Sequence, residues 1–570
     1  MSVSAGRIVG VLVAVRAEEG GGGELRPLRP GGAPAGPAER VTDLVAAVRD
    51  REIADRPRWL WASTAEIYPA LHRAGVRIDR CHDVEMTEGL LLAHAGRWGE
   101  PRALAAAWGR LTGGPVPPDP PARTAAPPGH RQDTLFDMSP PAPDLGLTEL
   151  ARVYADQQRR IEAIDRRFRL LVAAESAGAL IAVELGAVGL PWRADVHRAL
   201  LVELLGEPSP VGGPPRRLGE LSARIAEAFG VRQVHADSPA EVLRAFAKVG
   251  VDLPNTRAWV LRGVDHPAAP LLLEYKELYR IWTAHGWNWL DAWVHDGRFR
   301  PEYVPSGVVS GRWATRGGGA LQIPKVIRRA AVADPGWRLV VADAGQLEPR
   351  VLAAMSGDAR FAAAGAAGDL YAALAADSFA GDRAKAKVAL LGAMYGQTGG
   401  SAIPALAVLR RSYPTAFEYV EAAARTGEAG GLVRSWLGRT SPAGSVGLRD
   451  PDGEPAEVEA AGDGDPFGPR ARAAARARGR FTRNFVIQAT AAEWAATLLA
   501  VLRGGLAGTP AELVFFQHDE VLVHCPAEQA DAVTEAVVAA GATATRLLFG
   551  DTPVRFPLDI AAVECYADAK

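Results

Sequence analysis

Residues 112–146 read TGGPVPPDPPARTAAPPGHRQDTLFDMSPPAPDLG. Proline there fixes φ and removes backbone donors, and glycine raises the entropy lost on ordering. Too few large apolar side chains are present to offset that loss, so the stretch cannot build a packed core. We expect a flexible or polyproline-like linker, with folded units on either side. Before it, residues 7–15 (RIVGVLVAV) predict a buried strand and the Gly- and Pro-rich residues 17–40 a loop. From 41 to 111, helix-like segments alternate with short strand-like ones such as RPRWLWAS, which predicts a small α/β domain. Beyond the linker the pattern is mainly helical, from LTELARVYADQQRRIEAIDRRFRLLVAAE onward and again over 270–295. Strand signals return at 337–343 (WRLVVAD) and 513–525 (LVFFQHDEVLVHC), with an irregular insertion near 440–470.

Composition narrows the function classes. The 570 residues are 48% hydrophobic and only 7% aromatic, enough for several aliphatic cores. A net charge of −2 means that any nucleic-acid surface must come from local basic clusters. Cys81, Cys525 and Cys565 are far apart and form no CxxC or zinc pattern, which fits idle thiols in a reducing cytosol. No uninterrupted apolar run reaches the ~18 residues of a membrane span, so no membrane partner is expected. The opening MSVSAGRIVGVLVAVRAEE lacks the basic flank and cleavage site of a signal peptide, and we expect a cytoplasmic protein.

Three motifs carry chemistry. In WRLVVADAGQLEPRVLAAMSGD (337–358) an apolar strand delivers Asp343 to its end, and a helix starts near Gln346. A hard oxygen ligand on a rigid element suits magnesium, although a strand-end Asp is also a common helix cap. In FFQHDEVLVHCP (515–526) His518, Asp519 and Glu520 sit where a hairpin would turn, and acids are ordinary turn residues too. Two carboxylates brought together from distant segments can bind a pair of metals, the arrangement that drives nucleotidyl transfer. In GDRAKAKVALLGAMYGQTGG (381–400) Arg383, Lys387, Leu391 and Tyr395 recur every four residues along one helix face. A nucleoside triphosphate laid along it would meet cations at its phosphates and a ring at its base; a solvated basic face running into a buried one has the same pattern.

Together, these segments resemble family A DNA polymerases. Asp343-Ala344-Gly345-Gln346-Leu347-Glu348-Pro349-Arg350 is similar to motif A (D-Y-S-Q-I-E-L-R). Arg383, Lys387 and Tyr395-Gly396 match motif B, and His518-Asp519-Glu520 matches motif C. Ser310-Gly311-Arg312-Trp313 resembles T-G-R-L, and Ala320-Leu321-Gln322-Ile323-Pro324 resembles N-L-Q-N-I-P with one residue missing. RFTRNFVIQATAAE, with Arg480, Asn484 and Gln488, resembles R-x3-N-x3-Q-G-T-A-A-D. The resemblance runs from about residue 170 to the end. Ala344-Gly345 stands in place of Tyr-Ser, Pro349 in place of Leu, and Leu391 in place of an aromatic that packs on the incoming sugar.

The resemblance implies an α+β right-hand polymerase, with a thumb over 195–300 and palm and fingers over 301–570. It implies template-directed DNA synthesis by a monomer on primer–template DNA and deoxynucleoside triphosphates, with two Mg2+ ions held by Asp343, Asp519 and Glu520. Gln346, Glu348, Arg383, Lys387, Leu391 and Tyr395 would meet the nucleotide. Arg312, Gln322, Arg480, Asn484, Gln488 and His518 would line the DNA path. A single-subunit RNA polymerase shares the general motif scheme, but Glu348 and its Q-L-E-P-R context favour the DNA enzymes.

The first 111 residues, completed by a helical segment at 147–194, resemble more faintly a ribonuclease H-like proofreading exonuclease domain. The first strand has no D-x-E, the central STAEIYPALHRAGV has no Asp, and Tyr154-Ala155-Asp156 is Y-x-D where Y-x3-D is usual. Without its carboxylate cage the domain is expected to be inactive, with a working proofreading enzyme as the alternative. The remaining length leaves no room for a 5′-nuclease domain. Within the linker, Gln132-Asp133-Thr134-Leu135-Phe136 resembles the bacterial sliding-clamp pentapeptide Q-L-[SD]-L-F, so a clamp is an expected partner through Gln132, Leu135 and Phe136. The same Leu-Phe pair would equally staple the linker onto its own polymerase domain.

Overall fold

The computed structural model describes residues 11–121, 145–209, 212–396, 402–444 and 469–569. Two sheets organise it. The first has the spatial order Glu39–Val41, Gly23–Leu28, Leu12–Ala17, Arg58–Trp61, Arg80–Asp83. Its first three strands pair antiparallel and its last three parallel. Alternation sorts its central strand: Val13 and Val15 face one core with Trp59 and Trp61, while Leu12 and Ala14 face another with Leu60. Helices cover both faces, as the parallel pairs require.

This sheet corrects the loop expected over 17–40, because Gly23–Leu28 and Glu39–Val41 are strands. Leu25 and Leu28 are buried there, and the Gly and Pro around them hide the short period-2 signal. The opening strand spans Leu12–Ala17 rather than 7–15, and residues 7–10 lie outside the described set. So do residues 132–136 of the clamp-like peptide.

The second sheet has the order Glu512–Gln517, Glu520–Pro526, Trp337–Ala344, Leu558–Val563, antiparallel throughout. Val340, Ala342 and Ala344 join the larger core with the long helix Pro469–Gly505 and the helix Ala530–Phe549. Leu339 and Val341 join a second core built from the helices between 194 and 285. Burial on both faces explains why Leu339–Ala342 reads as an unbroken apolar run.

The expectation that nothing is long and apolar enough to span a membrane is corrected. Three helices qualify by length and composition: Arg166–Val188, Ala471–Gly505 and Ala527–Phe549. Charged residues at their ends or within them break the runs that the sequence reading looked for. In the first two, 67% and 78% of the apolar window is buried against the rest of the protein.

A buried ion pair ties the two sheets together. Glu184, on Arg166–Val188, accepts from Arg503 of the long helix at 2.6 and 2.8 Å and also from the Tyr68 hydroxyl. Arg503 Nη1 further donates to the Asp79 carbonyl at 2.9 Å, just before the last strand of the first sheet.

Candidate active site

Strand register brings the two candidate carboxylates together. Asp343 is the penultimate residue of Trp337–Ala344 and pairs in register with Glu520 on one side and Asp559 on the other. His518 and Asp519 are the two residues of the hairpin connection, with His518 at φ 58°, the left-handed value that a tight turn needs. The Ala344 amide donates to the Asp519 carbonyl at 3.0 Å, which pins the turn to the end of the strand. Asp519 keeps solvent access, yet the cleft walls that crowd it and the neighbouring Asp343 push its carboxyl up to about 6. Two acids in mutual repulsion are a donor set suited to a divalent cation.

Beside the pair lies a cavity of about 380 Å3, lined by Arg312, Glu348, Tyr371, Leu391, Tyr395, His518 and Asp519 among others. Glu348 stands in the first turn of the helix Leu347–Met355, where the helix dipole favours an acid. One of its oxygens accepts from the Arg312 guanidinium and the other from the Tyr395 hydroxyl. The His518 ring is held below its ordinary pKa by the crowding protein and then by Arg312.

Gln346 lines the cavity, as expected of a nucleotide contact, and has a structural job as well. It caps Leu347–Met355 at φ 59°. Its Nε2 donates to Asp369 at 2.9 Å and its Oε1 accepts from the Leu370 amide at 2.9 Å. The amide thus holds the start of the helix Leu370–Ser378 in place. Burial would raise the Asp369 pKa, but Arg383 and Gln346 outweigh it and hold the carboxyl down at about 2.

The helix Arg383–Tyr395 presents the expected face. Ala386, Ala389, Leu390, Ala393 and Met394 are buried, leaving Arg383 and Lys387 exposed and Leu391 and Tyr395 at the cavity. Arg383 pairs with Asp369 at 2.7 Å, and its guanidinium lies 5.6 Å from the centre of the Tyr371 ring. Gly396 closes the helix at φ 70°, and a Cβ there would lie 2.9 Å from Arg480 Cγ, so the turn and the long helix touch. Arg480 is exposed and Asn484 and Gln488 are half-buried along the long helix, which reaches the cavity at Ala491, Ala492 and Ala495. Gln322 is exposed on the turn Ala320–Gln322, outside the cavity lining; Gln517 fastens that turn to the hairpin through the Leu321 carbonyl at 2.9 Å.

Glu520, expected as a metal ligand, is buried. Its Oε2 accepts from the Tyr566 hydroxyl at 2.6 Å and meets Arg328 at 3.4 Å.

The sequence reading missed two residues. Tyr371 lines the cavity, and burial followed by the charge on Glu348 pushes its hydroxyl up to about 12. Its only signal is a position two residues after the cap Asp369. Arg350 is fully buried behind Asp343 and donates to the carbonyls of Gly345, Gly365, Ala367, Gly368 and Arg555 at 2.5–3.2 Å. Motif A contains it, but five carbonyl partners from three segments leave no trace in a sequence.

The acids of the first domain have structural duties. Asp83 is buried, accepts from the amides of Thr64 and Met86 at 2.7 and 2.9 Å, and is pushed up to about 6 by burial. Asp156 pairs with Arg159 and Arg160, and the Tyr154 hydroxyl donates to the Pro30 carbonyl.

The family model of DNA polymerase family A matches residues 215–562, more than half of the chain. The chain belongs to DNA polymerase family A. The thermostable DNA polymerase I of Thermus thermophilus is 27% identical over 336 residues, which cover 54% of this chain and 37% of that protein. The DNA polymerase I of Chloroflexus aurantiacus is 30% identical over 205 residues, covering 30% of this chain and 21% of that protein. This family A chain therefore spans about a third or less of the length of these curated relatives. Among solved structures, the POL domain of Pol1 from M. smegmatis, in complex with DNA primer–template and dNTP, superposes with a TM-score of 0.69 over 98% of this chain and 96% of that one. At 16% identity that likeness establishes the right-hand α+β fold.

Proposed function

We propose that this family A chain carries out template-directed DNA synthesis, adding deoxynucleotides to a primer 3′-hydroxyl. The observation that carries the reading is the Asp343–Asp519 pair beside a cavity that also receives the helix Arg383–Tyr395. The donor set fits Mg2+, which Asp343 and Asp519 would hold; such ions would supply a lowered pKa for the attacking hydroxyl and charge stabilisation for the leaving pyrophosphate. The chain's own residues position the substrates. Exposed Arg383 and Lys387 attract the triphosphate, with Arg383 braced by Asp369. Tyr395 and Leu391 form the wall that a base and sugar would pack on. Arg480, Asn484 and Gln488 continue from the cavity as a polar row for the duplex. A labelled primer on a longer template should lengthen only when deoxynucleotides are added; no extension at any divalent-ion concentration would overturn the reading.

Glu348 is the proposed sugar gate. Its carboxylate is fixed at the cavity by Arg312 and Tyr395, where it would crowd a 2′-hydroxyl. Glu348→Ala is expected to raise ribonucleotide relative to deoxynucleotide incorporation by on the order of tenfold or more, a difference of roughly 1.4 kcal/mol. An unchanged ratio in single-turnover kinetics would remove the role.

The first domain is proposed to lack proofreading activity. Its central strand Leu12–Ala17 carries no carboxylate, and Asp83 and Asp156 are engaged in capping and ion pairs. A mismatched primer incubated with enzyme and Mg2+ should keep its length. Shortening that copurifies with the chain and vanishes when residues 1–165 are deleted would refute this.

A further inference from the structure

The turn that delivers Arg312 to the cavity is gripped from behind by a residue far along the chain. Two backbone bonds close the turn, from the Val308 amide to the Arg312 carbonyl at 3.1 Å and from the Gly311 amide to the Val308 carbonyl at 2.8 Å. Gly311 holds φ 82°, a value that favours glycine. A Cβ there would lie 2.5 Å from Arg439 Nε and 2.6 Å from its Cζ, so the guanidinium fills the space of the missing side chain. Gly311 and Arg312 both line the cavity, and Arg312 donates to Glu348.

Arg439 is buried and held from several sides. Its Nη2 donates to one oxygen of Glu175, a buried acid on the helix Arg166–Val188. The other oxygen of Glu175 accepts from the Ser306 hydroxyl at 2.7 Å, just before the same turn. The Arg439 amide donates to Ser435 Oγ at 2.8 Å, and the Ser435 hydroxyl donates to Glu493, the neighbour of the cavity-lining Ala492. Trp98 of the first domain props the adjoining residue, its Nε1 donating to the Thr440 carbonyl at 3.0 Å. Arg439 Nε, the atom nearest the missing Gly311 side chain, is buried with no hydrogen-bond partner among the described residues. A buried ion pair returns little more than its desolvation costs, and an unmet donor adds to that cost. Such a pair is better suited to fixing geometry than to supplying stability.

We propose that Arg439 is a positioning residue for sugar selection: held by Glu175, it fixes Gly311 and so keeps Arg312 aimed at Glu348. This rests on the polymerase reading and on Glu348 as its sugar gate. A carboxylate excludes a 2′-hydroxyl only while it is held in place, and Arg312 is one of its two holds. Loosening the turn frees that hold and gives a ribose room that a deoxyribose does not need.

The test uses the full chain and the ratio of ribonucleotide to deoxynucleotide incorporation in single-turnover kinetics. That ratio does not depend on the fraction of enzyme folded, so a merely structural role would leave it unmoved. Arg439→Met with Glu175→Met removes the pair as a unit and leaves no lone buried charge. It should raise the ratio by about threefold or more. Arg439→Lys keeps a cation for Glu175 but cannot cover Gly311, and should raise the ratio less, in the same direction. In a Glu348→Ala background the paired substitution should change the ratio no further, because the group that it acts through is gone. An unchanged ratio in both Arg439 variants, or an equal rise with and without Glu348, would overturn the proposal while leaving the gate standing. No rise from Glu348→Ala alone would sink the gate and this proposal with it. Failure of the wild type to extend with deoxynucleotides would instead sink the polymerase reading.

Discussion

Asp343→Ala and Asp519→Ala are each expected to lower primer extension by on the order of 10^3 or more, with primer–template binding largely kept. Each change removes one of two charged oxygen donors that neighbouring hydrogen bonds cannot replace, and a loss of ~4 kcal/mol in transition-state stabilisation corresponds to that factor. The same pair sets a pH dependence. In the metal-free protein the Asp519 carboxyl lies at about 6, raised from 3.8 by crowding and by Asp343. Below pH 6 it takes up a proton, so extension should show an acid limb near that value, moving lower as divalent ion is added. The stability sign is opposite to that of an ordinary ion-paired acid. A raised carboxyl contributes most below its unfolded value and loses that contribution as pH rises through 6. Asp519→Asn should therefore melt at higher temperature than the wild type at pH 8 in a chelator. The gain should be about 1 kcal/mol after allowing for solvent screening of an exposed group, and should vanish below about pH 4. Near wild-type extension by either alanine variant would remove the two acids from the mechanism.

The second large effect lies behind the site. Arg350→Met keeps the length of the side chain but strips five carbonyls of their donor, one in a buried bond and four in part-buried ones. Leaving them unmet costs about 2–4 kcal/mol, since a buried acceptor is worth ~1–3 and the part-buried ones relax toward water. The carbonyls belong to the 365–368 turn, to Gly345 and to Arg555, so their loosening would let Gln346, which Asp369 and Leu370 hold, drift from the cavity wall. Denaturant melting should register the loss, and activity should fall by more than the folded fraction does. A variant as stable as the wild type would show that these carbonyls find other donors.

What could be read from the sequence was local. The strand at 337–343, the hairpin around His518-Asp519 and the helix from Arg383 carry their own period and their own turn chemistry, and each stands within two or three residues of its predicted place. What could not be read was set by partners far along the chain. Nothing local shows that Gln346 at the cavity also holds Asp369 and Leu370. Nothing local shows that Tyr566 and Arg328 share one oxygen of Glu520. The strand Gly23–Leu28 was hidden because its only large apolar residues, Leu25 and Leu28, are three apart and flanked by Gly and Pro. Membrane-length helices escaped notice because internal charges break a simple run while leaving the average apolar.

The Glu184–Arg503 clasp has a consequence for the way this molecule can change over evolutionary time. Arg503 sits near one end of a helix of 37 residues whose middle bears Arg480, Asn484 and Gln488. The clasp also grips Tyr68 and the carbonyls of Ile78 and Asp79. Excising the first sheet and its helices would uncover a guanidinium–carboxylate pair shaped for a dry interior and would release the far end of the long helix. Under the proposed loss of proofreading, a lineage could discard that domain's chemistry without being able to discard its bulk, because the clasp makes it scaffolding.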